Sequence, residues 1–167
     1  NIKITIQASL DEIIKKNYKK INIKRKIYRH NEIFYDTKTC IVPILKNYVI
    51  FKDYGDEDEK GTGDLIIKID KKKSENYYII DDYYLLLVKD ISLYQYIYGF
   101  NFKFNHFGSN IDLENIKLFN NKLRLQIINQ GIPYSYDNDI RGELIIQFNI
   151  KLEESDDNKN ILLSHFN

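Results

Sequence analysis

Two short sequence markers occur twice in this chain, in the same order and at nearly the same spacing. Residues 9–14 (SLDEII) are echoed by residues 92–97 (SLYQYI). Residues 63–67 (GDLII) are echoed by residues 142–146 (GELII), at almost the same offset. A repeat of this period predicts two tandem copies of one structural unit, each large enough to fold when it packs with another.

Each copy is predicted to be rich in β-strands. Ile4 and Ile6 alternate with polar residues, and so do Ile21 and Ile23, which places each apolar pair on one face of a strand. Ala8 is the single alanine among 167 residues, so the residue that most favours helices is nearly absent. We therefore expect a mainly β protein.

Short helices are predicted at the first marker of each copy. Ser9 with Glu12, and Ser92 with Gln95, have the S-x-x-E/Q spacing of a capping box, in which each side chain satisfies a free backbone N–H of the helix start. The first helix should end by about Asn17.

The repeat divides the chain into three predicted parts. These are a first subdomain at residues 1–88, a second at residues 89–152 and a C-terminal segment at residues 153–167. The segment has a polar, acidic start and ends on an apolar group, which predicts a last helix with one apolar face. That face docks either on its own subdomain or on a second subunit.

Charge is distributed unevenly along the chain. Residues 1–30 carry nine Lys and Arg against two acidic residues, a net +7, although the whole chain carries only +1. The cluster is either a solvated surface or a site for an acidic partner. Its interleaved tyrosines also leave open a nucleic-acid site, which the near-neutral total charge disfavours.

Motifs for catalysis or metal binding are missing from the sequence. His30, His106 and His165 lack metal-ligand spacing, and no base lies beside the single thiol, Cys40. There is no G-x-S-x-G, P-loop or G-x-G-x-x-G motif, and the acidic run at residues 56–59 does not match an EF-hand loop. We expect a protein that is not an enzyme and has no cofactor or metal.

Three features of the sequence bear on the cellular compartment. The single cysteine favours a reducing compartment, no apolar run is long enough to span a bilayer, and the start is not a signal peptide. We expect a cytoplasmic protein without a membrane partner. The absence of an initiator Met suggests an excised fragment.

Four motifs in the right order resemble the C-terminal peptide-binding region of DnaJ-type (J-domain) co-chaperones, a family of heat-shock proteins. Residues 9–13 (SLDEI) are similar to the family's S-L-E-E-I, and residues 91–100 (ISLYQYIYGF) to its L-S-L-x-E-A-L-x-G-F. Residues 131–133 (GIP) are similar to G-[ML]-P, and residues 141–148 (RGELIIQF) to R-G-D-L-I-[IV]-x-F. The resemblance covers nearly all of residues 1–163.

The resemblance implies two β-sandwich-like subdomains that hold unfolded polypeptide and deliver it to a DnaK-type heat-shock chaperone. It places the peptide groove of the first subdomain at Ile4, Ile6, Ile21 and Ile23, beside the short helix. The residues themselves leave another interpretation open, because alternating apolar residues on a strand face are usually plain core.

The resemblance also implies two further contacts. Basic residues beside the second strand receive the acidic Glu-Glu-Val-Asp tail of the partner chaperone, at positions that match Lys19, Lys20, Lys24, Arg25 and Lys26. The last helix resembles the family's dimerisation element, so we expect a homodimer with contacts at Leu152, Ile161, Leu162 and Phe166.

The chain also departs from the family pattern. It lacks the cysteine-rich zinc module of type I members, so it is similar to type II or to a divergent member. The family's H-P-x-F-x-R-x-G is replaced by a segment that includes residues 75–82 (ENYYIIDD), and Asn22 stands at a basic position. The alternative function is a structural, non-catalytic interaction module that has lost client binding.

Overall fold

The computed structural model describes residues 1–119 and 122–152, and it is mainly β, as the sequence predicts. The strands are β1 (Ile2–Ala8), β2 (Tyr18–Arg29), β3 (Glu32–Pro43), β4 (Tyr48–Phe51), β5 (Glu57–Asp58), β6 (Gly61–Thr62), β7 (Leu65–Lys71), β8 (Tyr77–Ile80), β9 (Tyr84–Ser92), β10 (Phe100–His106), β11 (Ser109–Ile116), β12 (Arg124–Ile127) and β13 (Leu144–Lys151). The helices are α1 (Leu10–Ile14) and α2 (Leu93–Tyr98).

Packing divides the chain into two compact units. Unit 1 consists of residues 1–74 and 133–139, and the rest of the described chain forms unit 2. The sequence placed the division after residue 88, which lies inside β9. β9 pairs with β8 on one side and β13 on the other. Because this pairing holds β8 in unit 2, the units separate before β8.

Unit 1 contains two sheets. In the first, β7 lies between β1, which is parallel to it, and β4, which is antiparallel. The β7 side chains Leu65, Ile67 and Ile69 are buried beneath it. In the second sheet, in the order β3-β2-β5-β6, the long β2–β3 hairpin turns at His30 and Asn31. Both have positive φ (53° and 63°), as a type I′ turn requires.

Unit 2 contains a four-stranded sheet and a two-stranded one. The first has the order β12-β13-β9-β8, with β9 and β13 parallel, and the second is the β10–β11 hairpin. Phe148 of β13 is 1% exposed and lies edge-on to the rings of Phe100 and Phe102 on β10. Aromatic packing therefore joins the two sheets of this unit.

Both predicted capping boxes are confirmed. The Glu12 N–H donates to Ser9 Oγ (3.2 Å) and the Ser9 N–H donates to Glu12 Oε1 (3.1 Å). The matching bonds of Ser92 and Gln95 measure 3.1 and 2.9 Å. Each box satisfies N–H groups that the first helical turn leaves without an intrahelical acceptor, so each short helix begins where the sequence predicted.

The predicted duplication is visible in the strand register. Ile2 of β1 pairs with Leu65 of β7, and the equivalent residues of the second copy, Leu85 of β9 and Leu144 of β13, pair with each other in the same parallel sense. β1 and β7 of unit 1 therefore correspond to β9 and β13 of unit 2. The β2–β3 hairpin corresponds to β10–β11.

Each unit also contains a pair of glycines that are hydrogen-bonded to each other, here termed the glycine bridge. In unit 2, the Gly131 N–H donates to the Gly142 carbonyl (2.8 Å), and Gly142 donates to the carbonyl that follows Gly131 (3.0 Å). In unit 1, Gly55 and Gly63 make the same two bonds, both 2.9 Å. The bridge brings the motifs at residues 131–133 and 141–148 together in space.

Residues 133–139 pack in unit 1, although the chain on both sides of them belongs to unit 2. The Tyr136 hydroxyl accepts a hydrogen bond from the Ile44 N–H (2.8 Å) and donates one to the Asn17 carbonyl (3.2 Å). Its ring stacks on that of Tyr18, with centroids 4.4 Å apart. This excursion of the chain was not predicted from the sequence.

Candidate functional site

The predicted apolar groove residues lie on β1 and β2, the two strands that α1 joins. Leu10, Ile13 and Ile14 of α1 are buried, so the helix is anchored in unit 1. β1 and β2 belong to different sheets and are not hydrogen-bonded neighbours. The helix therefore connects two strands that each belong to a separate sheet of the same unit.

Ile4 and Ile6 are half-buried on one face of β1. They stand beside Ile67 and Ile69 of β7, which are 0% and 4% exposed. Among the described residues β1 is the edge strand of its sheet, so a paired strand flanks the two isoleucines on one side. Part of each apolar surface consequently stays open.

Ile21 and Ile23 lie on one face of β2 and are also half-buried. Ile21 pairs with Cys40 of β3, which is buried, whereas Ile23 pairs with Lys38, which is half-buried. All four predicted groove residues thus differ from the fully buried core and from the fully exposed surface. Partial exposure of this kind is what an apolar binding surface needs.

The backbone of β1 has one free edge. The Ile2 N–H donates to the Asp64 carbonyl, and the Ala8 carbonyl accepts from the Lys72 N–H, both at 2.8 Å, so the even-numbered residues bond to the β7 side. The odd-numbered residues, Lys3, Thr5 and Gln7, face away from β7 because peptide directions alternate along a strand. Within residues 1–119 and 122–152, β1 has β7 as its single paired neighbour.

Lys19 closes one end of that free edge. Its ammonium donates to the Gln7 carbonyl and lies 3.4 Å from Glu12 Oε2. Burial raises the pKa of Glu12, but hydrogen bonds from Ser9 and the charge of Lys19 lower the pKa by more. The Glu12 carboxylate thus serves both the helix cap and the ammonium group.

The five predicted tail-binding residues lie on opposite faces of β2. Lys19 and Arg25 share the face of the half-buried isoleucines, whereas Lys20, Lys24 and Lys26 are exposed on the other face. In the described part of the chain, the ammonium groups of these three lysines form no ion pair, and that of Lys24 lies 4.5 Å from the centre of the Tyr35 ring. An acidic ligand has access to these three lysines.

Arg25 has a structural role that the sequence analysis missed. It is 8% exposed, and its guanidinium donates to Asp36 (3.1 Å), to the Asp53 carbonyl (3.1 Å) and to the Gly55 carbonyl (3.3 Å). The guanidinium therefore holds the loop that contains the unit 1 glycine bridge. The sequence contained a signal for this burial, because Arg25 lies two residues after Ile23 and therefore on the same face of the strand as Ile21 and Ile23.

A buried histidine in unit 2 was also missed. His106 is 2% exposed, its Nε2 lies 2.8 Å from the Gln130 carbonyl and its Nδ1 lies 3.0 Å from the Tyr77 hydroxyl. This arrangement fits a neutral ring that donates to Gln130 and accepts from Tyr77. Burial lowers the pKa of His106 and raises the pKa of Tyr77 to about 12, so both groups stay neutral.

The remaining predicted sites are only partly described. Leu152 is 65% exposed, while Ile161, Leu162 and Phe166 lie outside the described residues. Across the described ranges, no three His, Cys, Asp or Glu side chains are placed to hold a metal ion. The helices in those ranges are too short to cross a membrane.

Comparison with known proteins identifies the family. A search of the curated proteins found no match. The family model described as DnaJ C terminal domain matches residues 2–152, which include β1 to β13 and both units. The match contains the half-buried isoleucines, the free edge of β1 and both glycine bridges. The chain belongs to the DnaJ C terminal domain family.

Proposed function

We propose that this protein is a co-chaperone that binds apolar segments of unfolded polypeptide in unit 1 and delivers them to a DnaK-type chaperone. The observation that carries the proposal is the half-burial of Ile4, Ile6, Ile21 and Ile23 beside α1 in a chain of this family. The partners would be unfolded clients, the DnaK-type chaperone and a second copy of the chain. No catalytic step is part of this function.

The physical basis of client binding is strand addition next to an apolar surface. An extended peptide gains main-chain hydrogen bonds from a sheet edge, and these bonds are the same for every sequence. Apolar side chains of the client then cover the open parts of the isoleucines, at roughly 25 cal/mol per Å² of buried apolar area. Such a surface accepts many clients and favours apolar ones.

The double substitution Ile4→Ser and Ile23→Ser tests the site. We expect at least tenfold weaker binding of a fluorescent apolar peptide, because roughly 1.4 kcal/mol of lost apolar contact corresponds to a factor of ten. Fluorescence anisotropy measures the binding. The far-ultraviolet circular dichroism spectrum should stay unchanged, because both side chains are only half-buried.

The matched control is the double substitution Ile41→Ser and Ile50→Ser. Both isoleucines are 60% exposed in unit 1, on β3 and β4, and neither belongs to the four predicted groove residues. The control should keep the affinity of the unmodified chain. Equal losses in both variants, or a collapsed spectrum for the first, would show that the four isoleucines are not a binding surface.

We also propose that the acidic tail of the partner chaperone binds Lys20, Lys24 and Lys26. Carboxylates that approach these exposed lysines gain charge-assisted hydrogen bonds. Two of the five predicted residues are not included. The Lys19 ammonium is engaged with the Gln7 carbonyl and Glu12, and the Arg25 guanidinium with Asp36 and two carbonyls.

The test of tail binding is a titration with a labelled peptide that ends in Glu-Glu-Val-Asp. Replacing Lys20, Lys24 and Lys26 by Gln should weaken binding about tenfold or more, as should amidation of the peptide or high salt. The charge-matched control replaces Lys46, Lys52 and Lys60, three exposed lysines elsewhere in unit 1, by Gln. A control variant that loses as much affinity would argue for non-specific attraction.

A second candidate function is a structural interaction module that no longer handles clients. It is favoured by Asn22 at a basic position and by the engagement of Lys19 and Arg25 within unit 1. Suppression of the aggregation of a heat-denatured test protein distinguishes the two functions. A chain that leaves aggregation unchanged at a tenfold molar excess supports the second one.

A further inference from the structure

β3 is a long edge strand with one free side. Among the strands that the structure describes, β3 pairs with β2 alone, and the pairing covers all 12 of its residues. The Lys26 N–H, opposite Tyr35, donates to Asp56 Oδ1 (2.7 Å), so Lys26 and Tyr35 do not exchange main-chain hydrogen bonds. Bonded and non-bonded pairs alternate in an antiparallel ladder. The odd-numbered residues from 33 to 41 therefore direct their N–H and C=O groups to the free side of β3.

The side chains of these odd-numbered residues share one exposed face and carry no charge. They are Ile33, Tyr35, Thr37, Thr39 and Ile41, all β-branched or aromatic, which are the residue types that favour strands. Ile33 and Tyr35 are 58% exposed and Ile41 is 60% exposed. Proteins commonly protect a free edge with charged side chains, a proline or a bulge. The exposed face of residues 33–41 has none of these devices.

The equivalent strand of unit 2, β11, has a different edge. The β10–β11 hairpin also turns on two residues of positive φ, and Ser109 belongs to the bonded pair next to the turn. The alternation then places Asn110, Asp112 and Glu114 on the exposed face, with their peptide groups directed outward. Two β11 strands paired through this edge would bring carboxylates together, and like charges that stand opposite each other are destabilising. The edge of β11 therefore disfavours a second copy, whereas that of β3 does not.

We propose that β3 pairs antiparallel with β3 of a second copy of this chain, with Thr37 opposite the partner's Thr37. The proposal goes beyond client binding, and the contact is separate from the one expected in the C-terminal segment. On the exposed face, Ile33 stands opposite the partner's Ile41, and Tyr35 stands opposite the partner's Thr39. By symmetry this register gives five pairs, each of which exchanges two main-chain hydrogen bonds.

The other face of β3 is self-complementary in the same register. Asp36 stands opposite the partner's Lys38, and the two-fold symmetry repeats this pair of opposite charges. The Asp36 side chain remains 42% exposed although it is bonded to Arg25. Phe34, which is 49% exposed, stands opposite the partner's Cys40. Opposite charges and apolar side chains that face each other across two strands stabilise the pairing.

Neighbouring registers are less complementary. With Tyr35 at the symmetry axis, Asp36 stands opposite the partner's Phe34, and the ordered ladder has three bonded pairs instead of five. With Thr39 at the axis, Tyr35 stands opposite the partner's Pro43, which has no N–H to donate. A shift by a single residue brings together peptide groups that are already bonded to β2. The register with Thr37 at the axis is therefore preferred.

The lysines proposed for tail binding do not oppose this contact. Lys24 pairs with Thr37, so Lys24 and the partner's Lys24 stand three strand spacings apart, about 14 Å. That distance exceeds the Debye length of about 8 Å at physiological salt, so the repulsion is largely screened. The exposed face of β2 stays open in the pair.

Disulfide cross-linking tests the register directly. Bonded antiparallel pairs have Cα atoms about 5.5 Å apart, within the range of roughly 4.4–6.8 Å that a disulfide spans. Under mild oxidation Thr37→Cys should form a cross-linked dimer at least tenfold faster than Asp112→Cys, its counterpart on β11. A mixture of Tyr35→Cys and Thr39→Cys should also cross-link, but each of these two variants alone should not. Cys40 is 1% exposed, so the unmodified chain provides the baseline.

A charge at the symmetry axis tests the contact without oxidation. Thr37→Lys places two ammonium groups opposite each other and should weaken self-association about fivefold, measured by sedimentation equilibrium of the 167-residue chain. Asn22→Lys is the control, because it adds the same charge to the same face of the sheet but on β2. The control should change the association constant less than twofold. Dichroism spectra check that both variants fold.

Three results would overturn the proposal. If the mixture of Tyr35→Cys and Thr39→Cys cross-links no faster than either variant alone, the register is wrong. If Thr37→Cys cross-links no faster than Asp112→Cys, the edge of β3 takes a different partner. If Thr37→Lys weakens association no more than Asn22→Lys does, the copies associate elsewhere. The peptide-binding and aggregation tests measure client handling separately, so none of these results would contradict the proposed function.

Discussion

Replacing Gly142 with alanine is expected to lower the free energy of unfolding by about 3 kcal/mol or more. A Cβ on Gly142 would overlap the carbonyl oxygen of Tyr83 and would lie 2.6 Å from its carbonyl carbon. These are backbone atoms, and the Tyr83 carbonyl is held by the Ile132 N–H at 2.8 Å, so no side chain can move to make room. Overpacking of this kind typically costs roughly 1–3 kcal/mol and occasionally more, and the cost is larger where the surrounding atoms cannot move.

Urea unfolding followed by tyrosine fluorescence measures this effect. Gly61→Ala is the control, since a Cβ at Gly61 meets nothing within 4 Å but keeps the unfavourable φ of 144°. The control should lose only about 1 kcal/mol. If Gly142→Ala lowers the free energy of unfolding no more than Gly61→Ala does, the close approach of Gly142 to the Tyr83 carbonyl is not what makes a glycine necessary there.

Replacing His106 with alanine is expected to lower the free energy of unfolding by about 3 kcal/mol as well. The substitution leaves a cavity at a fully buried position and removes the partners of the Gln130 carbonyl and the Tyr77 hydroxyl. Large-to-small changes in a core cost about 2–5 kcal/mol, and each buried polar group without a partner adds to the loss. Chemical denaturation at pH 8, where the ring is neutral, gives the value.

The same histidine should make stability depend on pH. Burial lowers the pKa of His106 in the folded chain, and the charge of Arg141 lowers it further, against the bond to Gln130. The unfolded chain, with a histidine pKa of about 6.5, then binds more protons than the folded one below that pH. The contribution of His106 is fully present above pH 6.5 or so and is lost as the pH falls through the lowered pKa.

Unfolding free energies measured from pH 8 to pH 5 test this dependence. The decrease should be smaller in His106→Ala than in the unmodified chain. His30→Asn should keep the full decrease, because His30 is exposed and asparagine suits its positive φ of 53°. If the free energy of unfolding of His106→Ala decreases with pH as much as that of the unmodified chain, carboxylates alone cause the loss of stability at acidic pH.

Local patterns predicted much of the fold, because their causes are local. Ser9 and Glu12, and Ser92 and Gln95, are three residues apart, so a capping box can be read from spacing alone. The alternation of Ile4 and Ile6 indicated a strand with one apolar face, and the repeated markers indicated two related units. These predictions required no knowledge of which strands pair.

The features that the sequence did not predict depend on contacts between residues that are far apart in the chain. Arg25 follows the alternation of its strand, but its burial depends on carbonyls in a loop about 30 residues away. His106 is neutral because it is buried, and the two groups that pair with its ring, Tyr77 and Gln130, come from other segments. The sequence analysis treated the basic residues of β2 as one patch. Successive side chains of a strand point to opposite faces, so the structure divides these residues between the two faces of β2.

The excursion of residues 133–139 has a consequence for synthesis on the ribosome. Ile44 of unit 1 is hydrogen-bonded to Tyr136, 92 residues later in the chain. The last contacts of unit 1 therefore form only after most of unit 2 has been translated. Contacts of such long sequence separation form slowly. Until then the Ile44 N–H and the face of the Tyr18 ring that Tyr136 covers stay exposed. Surface that is exposed in this way during folding is what makes incompletely folded chains prone to aggregate.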